Sequence, residues 1–198
     1  MESKPIFEKL DSLLAQVETT FSAMVEKFPE EIRCKPGCDD CCHACFDLSL
    51  IEATYLEAGL KTLSADQLDL VKEQARAAKQ EFERLSAEAG GEESAVPLDQ
   101  VSLWRIRCPL LGPEKQCMIY DFRPVTCRAY GLPTSINNKG HVCGFSGFDQ
   151  GKTYPTIKLD QIFGYLYELS RTAATALDLT EQEAGTRRFI YQTVLEEI

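Results

Sequence analysis

Apolar residues recur at three- and four-residue spacing near both ends of this chain, and that spacing predicts amphipathic helices. Near the start, the pattern predicts a helix over residues 5–28, with Pro5 in its first turn and Pro29 directly after it. Near the end, one apolar stripe from Leu159 to Leu177 predicts a second long helix. We expect both helices to bury these stripes in a core.

Capping boxes predict where further helices begin, because a Ser or Thr with Glu or Gln three residues later satisfies two free backbone N–H groups. Three such pairs are Ser49 with Glu52, Ser64 with Gln67 and Thr180 with Glu183. We expect the first of these helices to end at Gly59. The third should be a single last helix that carries the apolar residues 189–195.

Residues 101–148 interrupt the helical pattern repeatedly. The breaks fall at Gly112-Pro113, Arg123-Pro124, Leu132-Pro133 and Asn137-Asn138-Lys139-Gly140. A segment with so many turns buries little apolar surface by itself. The sequence therefore predicts a mostly α fold with little or no β-structure, in which helices pack around an irregular core.

The composition favours a soluble globular protein over a nucleic-acid-binding or membrane-spanning one. The chain has 198 residues, 44% hydrophobic and 26% charged, which suits one soluble domain over residues 1–198. A net charge of −10 argues against a nucleic-acid partner, which would need basic surface. Neither a secretory leader nor an apolar run of the roughly 18 residues that a membrane span needs is evident. We therefore expect a cytoplasmic protein with no membrane contact.

Cysteines dominate the chemistry of the chain. Five of the nine lie within residues 34–45, and the other four are Cys108, Cys117, Cys127 and Cys143. In a reducing compartment, clustered cysteines are more often metal ligands than disulfides. Thiolates this close also repel one another unless a cation holds them. We therefore expect residues 34–143 to form a metal-binding core, flanked by the N- and C-terminal helices.

Adjacent cysteines suggest more than one metal atom. We expect the side chains of Cys41 and Cys42 to point in different directions, so that they serve different atoms of a polynuclear centre or two sites. Arg123 and Arg128 flank Cys127 and could balance the negative charge of a thiolate centre by donating N–H bonds to sulfur. The alternative is that these arginines pair with surface carboxylates.

Two stretches carry a resemblance to a known family. The first is Cys34-x3-Cys38-x2-Cys41-Cys42, and the second runs from Cys108 through Cys117 to Arg123-Pro124-Val125-Thr126-Cys127-Arg128. Together they resemble the pattern of the CxxCxxCC zinc- or iron-chelating family. The resemblance implies metal-chelating roles for Cys34, Cys38, Cys41, Cys42, Cys108, Cys117 and Cys127. We add Cys143 as an eighth ligand. Cys45, His43 and His141 lie outside the pattern, and the sequence assigns them no role.

Three functions remain open. The first is an all-cysteine iron–sulfur centre in electron transfer or redox chemistry, as in an oxidoreductase. The second is a structural zinc module that presents its helices to a protein partner. The third, a radical S-adenosylmethionine enzyme, shares the Cys34-x3-Cys38-x2-Cys41 spacing, but the chain lacks the strand–helix alternation of that barrel.

Overall fold

The computed structural model describes residues 7–90 and 96–196, and within them helices predominate. The helices are α1 Glu8–Lys27, α2 Leu50–Leu60, α3 Ala65–Glu88, α4 Leu98–Val101, α5 Val125–Ala129, α6 Leu159–Ala176, α7 Glu181–Ala184 and α8 Ile190–Leu195. The strands are β1 Asp47–Leu48, β2 Thr134–Ile136, β3 Lys139–His141, β4 Ile157–Lys158 and β5 Arg188–Phe189. The predicted mostly α fold with little β-structure is confirmed. Pro5 lies outside the described residues.

The described residues form two compact units, each assembled from separate stretches of the chain. The first unit takes in residues 7–36, 49–51 and 123–185. The second takes in residues 37–48, 186–196 and the described part of 52–122. The expectation of a single domain over residues 1–198 stays a prediction.

In the first unit, the two predicted long helices are present as α1 and α6. α1 packs against α5 and α6. A small sheet completes the unit, with β2 antiparallel to β3 and parallel to β4. A core of Met24, Ile32 and Leu132 lies between α1 and this sheet region, with Phe21 and Phe28 packed against it.

In the second unit, α3 packs against α8, and the ring of Phe82 on α3 lies 5.5 Å from that of Tyr191 on α8. The Phe82 ring is fully buried, 4.6 Å from the ring of Phe189 and 5.1 Å from that of Trp104. α3 begins as predicted, because Ser64 and Gln67 form both hydrogen bonds of the capping box. The irregular residues after Val101 pack against this aromatic core through buried Ile106 and other apolar side chains.

The predicted end of α2 at Gly59 is wrong, because the helix continues to Leu60. Gly59 is instead a close-packing position: a Cβ added there would lie 2.7 Å from Cγ of Phe122. The glycine therefore allows the Phe122 ring, which also lies 5.1 Å from the ring of Tyr55, to pack against the helix.

The prediction of a single last helix is also wrong. Thr180 and Glu183 do form the predicted capping box, but α7 ends after four residues, before Gly185. Arg188 and Phe189 then form β5, which pairs antiparallel with β1, and α8 begins at Ile190. The strand pair, reinforced by the ion pair of Arg187 with Asp47 at 2.8 Å, is a contact that local capping signals do not encode.

Within the described residues, none of the helices combines the length and apolar character that crossing a bilayer requires.

Candidate metal centre

In the second unit, the two halves of the cysteine pattern pair through their backbones. The N–H of Cys108 donates to the carbonyl of Cys42 over 2.7 Å, and the N–H of Ile106 donates to that of His43 over 3.0 Å. Ala44 and Arg105 form an antiparallel bridge next to these bonds. The segment that follows Cys41 therefore runs beside the segment that leads into Cys108, although more than sixty residues separate them in sequence.

The Cys41 and Cys42 side chains lie closer together than expected. They belong to a short 3-10 helix, Asp40–His43, and their sulfurs are 4.0 Å apart. The expectation that the adjacent side chains point in different directions is therefore wrong. Two sulfurs bound to one tetrahedral zinc ion stand about 3.8 Å apart. The tight turn of this helix brings both thiols within reach of a single metal atom.

Ion pairs hold this turn in place. Asp40 is 8% exposed and pairs with the guanidinium of Arg105, which also donates to the Asp40 carbonyl over 3.1 Å. Lys115 lies 3.6 Å from the carboxylate of Asp39. Arg105 precedes Cys108 and Lys115 precedes Cys117, so both charges tie the later half of the pattern to the turn that carries Cys41 and Cys42.

Cys108 and Cys117 are partly buried and pack against the core of the second unit. Burial raises the pKa of the Cys108 thiol to about 12. A hydrogen bond from the Leu110 N–H lowers this pKa, whereas the charges of Cys117 and Cys41 raise it. A metal ion bound here would displace the thiol proton.

In the first unit, Cys34 lies against the turn that follows α5, the helix that carries Cys127. The Cys34 sulfur is 3.8 Å from the carbonyl of Tyr130, and a Cβ added at Gly131 would lie 2.4 Å from that sulfur. The first and the last cysteines of the family-like pattern are therefore brought to neighbouring parts of the same unit.

Cys143 lies in a turn of its own in the first unit. The N–H of Phe145 donates to the Cys143 sulfur over 3.4 Å, and the N–H of Ser146 donates to the Cys143 carbonyl over 3.0 Å. A further bond, from the N–H of Gly147 to the Glu31 carbonyl at 2.7 Å, fixes this turn beside the residues that precede Cys34. An N–H bond to sulfur stabilises the thiolate form that binds metals.

The two arginines beside Cys127 share a carboxylate on α1. Oε1 of Glu18 lies 2.7 Å from Nη1 of Arg128 and 3.1 Å from Nη2 of Arg123. Arg128 also donates from Nε to the Arg123 carbonyl over 2.8 Å. The guanidiniums thus form the carboxylate pairing that the sequence left open as the alternative, and a charge-balancing role toward sulfur stays a prediction.

The residues outside the family-like pattern have local roles. Cys45 packs against the core of the second unit, and burial together with the charge of Asp47 raises its thiol pKa to about 12. Nδ1 of His43 is 3.0 Å from the Asp39 carbonyl, which makes it a hydrogen-bonding partner within the 3-10 helix. His141 lies in β3 on an exposed position.

The structure brings the predicted ligands together in part. In the described ranges, which include all nine cysteines, no disulfide forms and no group of three or more Cys, His, Asp or Glu side chains has the geometry of a metal site. The predicted metal-binding core is therefore not confirmed. The donor chemistry nevertheless fits zinc or iron, since the close Cys41–Cys42 sulfurs and the N–H bond to Cys143 suit thiolate ligation. Cys34 and Cys38 are exposed, and the other predicted ligands are partly buried.

Sequence reasoning missed two residues that surround the predicted ligands of the first unit, Glu18 and Gly131. Glu18 lies on α1, outside the cysteine pattern, so no spacing links it to Arg123 and Arg128. The close approach of Gly131 to Cys34 depends on tertiary packing, although a glycine four residues after Cys127 was a visible turn signal.

A family model described as the CxxCxxCC zinc- or iron-chelating domain matches residues 33–144, more than half of the chain. No curated protein and no solved structure is significantly similar to this chain.

Proposed function

Because the chain belongs to the CxxCxxCC family of zinc- or iron-chelating domains, we propose that its cysteines hold an iron–sulfur centre that carries electrons. In the second unit the proposed ligands are Cys38, Cys41, Cys42, Cys108 and Cys117. In the first unit they are Cys34, Cys127 and Cys143. Each set is proposed for its own unit.

The observation that carries the proposal is the backbone pairing of Cys42 with Cys108 at 2.7 Å. Because of this pairing, residues from distant parts of the sequence present thiols to the same region of the second unit. All-thiolate donor sets that combine closely spaced cysteines with remote ones are typical of iron–sulfur clusters, and the second unit combines Cys38, Cys41 and Cys42 with Cys108 and Cys117. The N–H bonds to the sulfurs of Cys108 and Cys143 are the kind of contact that tunes a cluster's potential.

When bound, such a centre would accept one electron from a reduced redox protein and pass it to an oxidised one. The chain's own residues would supply thiolates, amide N–H bonds to sulfur, and positive charge from Arg123 and Arg128. A cytoplasmic location suits this function, because a reducing compartment keeps the nine free cysteines available as ligands.

A second candidate is a structural zinc module that presents its helices to a protein partner. The observation that favours it is the 4.0 Å separation of the Cys41 and Cys42 sulfurs, since this is close to the spacing of two ligands on one tetrahedral ion. In a polynuclear cluster in which each cysteine binds a different iron atom, the two sulfurs would be farther apart.

The absorption spectrum of protein purified without oxygen separates the two candidates. An iron–sulfur centre gives a brown protein with broad visible absorption that bleaches when dithionite is added. A zinc centre gives a colourless protein that contains zinc and is unchanged by dithionite. The first result supports the electron-carrier proposal, and the second contradicts it in favour of the zinc module.

A further inference from the structure

Gly131 lies directly against the sulfur of a predicted ligand in the first unit. A Cβ built on Gly131 would lie 2.4 Å from the sulfur of Cys34, well inside the roughly 3.5–4.0 Å of favourable non-bonded contact. The next nearest atoms, on Phe21 and at Cβ of Cys34, are 3.9 and 4.0 Å away. The conflict would therefore be with the sulfur alone.

The backbone conformation at this position also favours glycine. Gly131 has φ +97°, which lies in the region that residues with a Cβ rarely adopt. It follows α5, which ends at Ala129, so the chain turns here directly after the helix that carries Cys127. The same residue thus lets the chain turn away from α5 and leaves the space that the Cys34 sulfur occupies.

We propose that Gly131 is a positioning residue for Cys34, and that any side chain at position 131 removes this sulfur from the ligand set of the first unit. The inference rests on the proposed function, because it concerns how one of the proposed ligands is held. Gly131 itself binds no metal. Its contribution is the absence of a side chain at the point where Cys34 approaches the turn after α5.

The test compares Gly131→Ala with Gly151→Ala in the full chain. Gly151 has φ +87° and lies in the same unit, but a Cβ added there meets nothing within 4 Å. Both substitutions therefore impose a similar backbone strain, and only the first displaces the sulfur. The measurements are zinc and iron per chain after anaerobic purification, and the rate of metal release to a chelator.

We expect Gly131→Ala to release metal on the order of 10–100-fold faster than Gly151→Ala, which is the usual effect of losing a residue that orients a ligand. It should match Cys34→Ala in this respect. The double variant Cys34→Ala/Gly131→Ala should release metal no faster than Cys34→Ala alone, because no sulfur remains to be displaced. Equal release from Gly131→Ala and Gly151→Ala, or an additive loss in the double variant, would overturn the inference.

Folding is checked by circular dichroism. If Gly131→Ala does not fold, the double variant Cys34→Ala/Gly131→Ala shows whether the sulfur is the cause. Without the sulfur, the added Cβ would be in ordinary contact only, 4.0 Å from Cβ at position 34. Recovery of the fold in the double variant supports the contact with sulfur, and continued unfolding contradicts it.

A wild-type chain without zinc or iron would instead overturn the proposed function, and with it the inference. Metal-loaded wild type with no difference between the two glycine variants overturns the inference alone.

Discussion

Oε1 of Glu18 lies 2.7 Å from Nη1 of Arg128, and the same oxygen also accepts from Arg123. The two arginine side chains are only 10% and 14% exposed, so each depends on this carboxylate more than a surface guanidinium would. We expect Glu18→Ala to lower the free energy of unfolding by about 1–3 kcal/mol, less than for a fully buried pair because Glu18 is itself partly exposed. Urea denaturation measures the change.

Glu26→Ala is the matched control, because Glu26 is an exposed residue on the same helix. It should change the free energy of unfolding by no more than about 0.5 kcal/mol. Equal effects of the two substitutions would show that Glu18 does not support the buried arginines.

Gly59 and Gly164 give a second matched pair, since both lie inside helices. Replacing either with Ala gains about 1 kcal/mol of helix propensity. At Gly59, however, the new Cβ would lie 2.7–2.9 Å from Cβ, Cγ and Cδ2 of Phe122, whereas at Gly164 it meets nothing within 4 Å. Gly59→Ala should therefore be less stable than Gly164→Ala by about 1–3 kcal/mol, the usual cost of overpacking. Equal melting temperatures in calorimetry would contradict this contact.

The sequence predicted the long helices well, because their periodicity and caps are local signals. α1, α3 and α6 all follow from apolar spacing or from the capping box at Ser64. The end of α2 and the split between α7 and α8 could not be predicted in the same way. They depend on the Phe122 ring packed on Gly59 and on β5 pairing with β1, and both partners are distant in sequence.

In the candidate site too, the sequence predicts residue types but not the contacts that depend on tertiary packing. Residue type and spacing predict the cysteines as metal ligands, because thiolate chemistry is visible in the sequence, and this assignment stays a prediction. The prediction that the Cys41 and Cys42 side chains diverge is wrong, because the 3-10 helix places their sulfurs 4.0 Å apart. The partnership of Glu18 with Arg128 requires α1 to pack on α5, which no local pattern encodes.

A comparison of Cys108 with Cys45 tests whether a predicted ligand differs from a buried thiol outside the family-like pattern. Both pack against the core of the second unit, and both thiols have a pKa raised to about 12. We expect Cys108→Ala to lower the metal content of the chain, whereas Cys45→Ala should retain the wild-type content. Elemental analysis of the two purified variants makes the comparison. Equal metal content in both would argue that Cys108 is also only a core residue.

Cys45 should resist alkylation in the folded protein. A thiol pKa near 12, against the usual 9.0, lowers the thiolate fraction at pH 8 about a thousandfold, and thiolate is the reactive form. After metal removal, exposed Cys38 should react with iodoacetamide far faster than Cys45. Peptide mass spectrometry over time measures both rates. Comparable rates under conditions that keep the fold would contradict the buried position of Cys45.

X-ray absorption at the zinc and iron edges of protein purified without oxygen shows whether this chain holds zinc or iron through its cysteines. The predicted result is a metal whose nearest neighbours are sulfur atoms at about 2.3 Å. A spectrum dominated by oxygen or nitrogen neighbours, or a protein that contains neither metal, would contradict it.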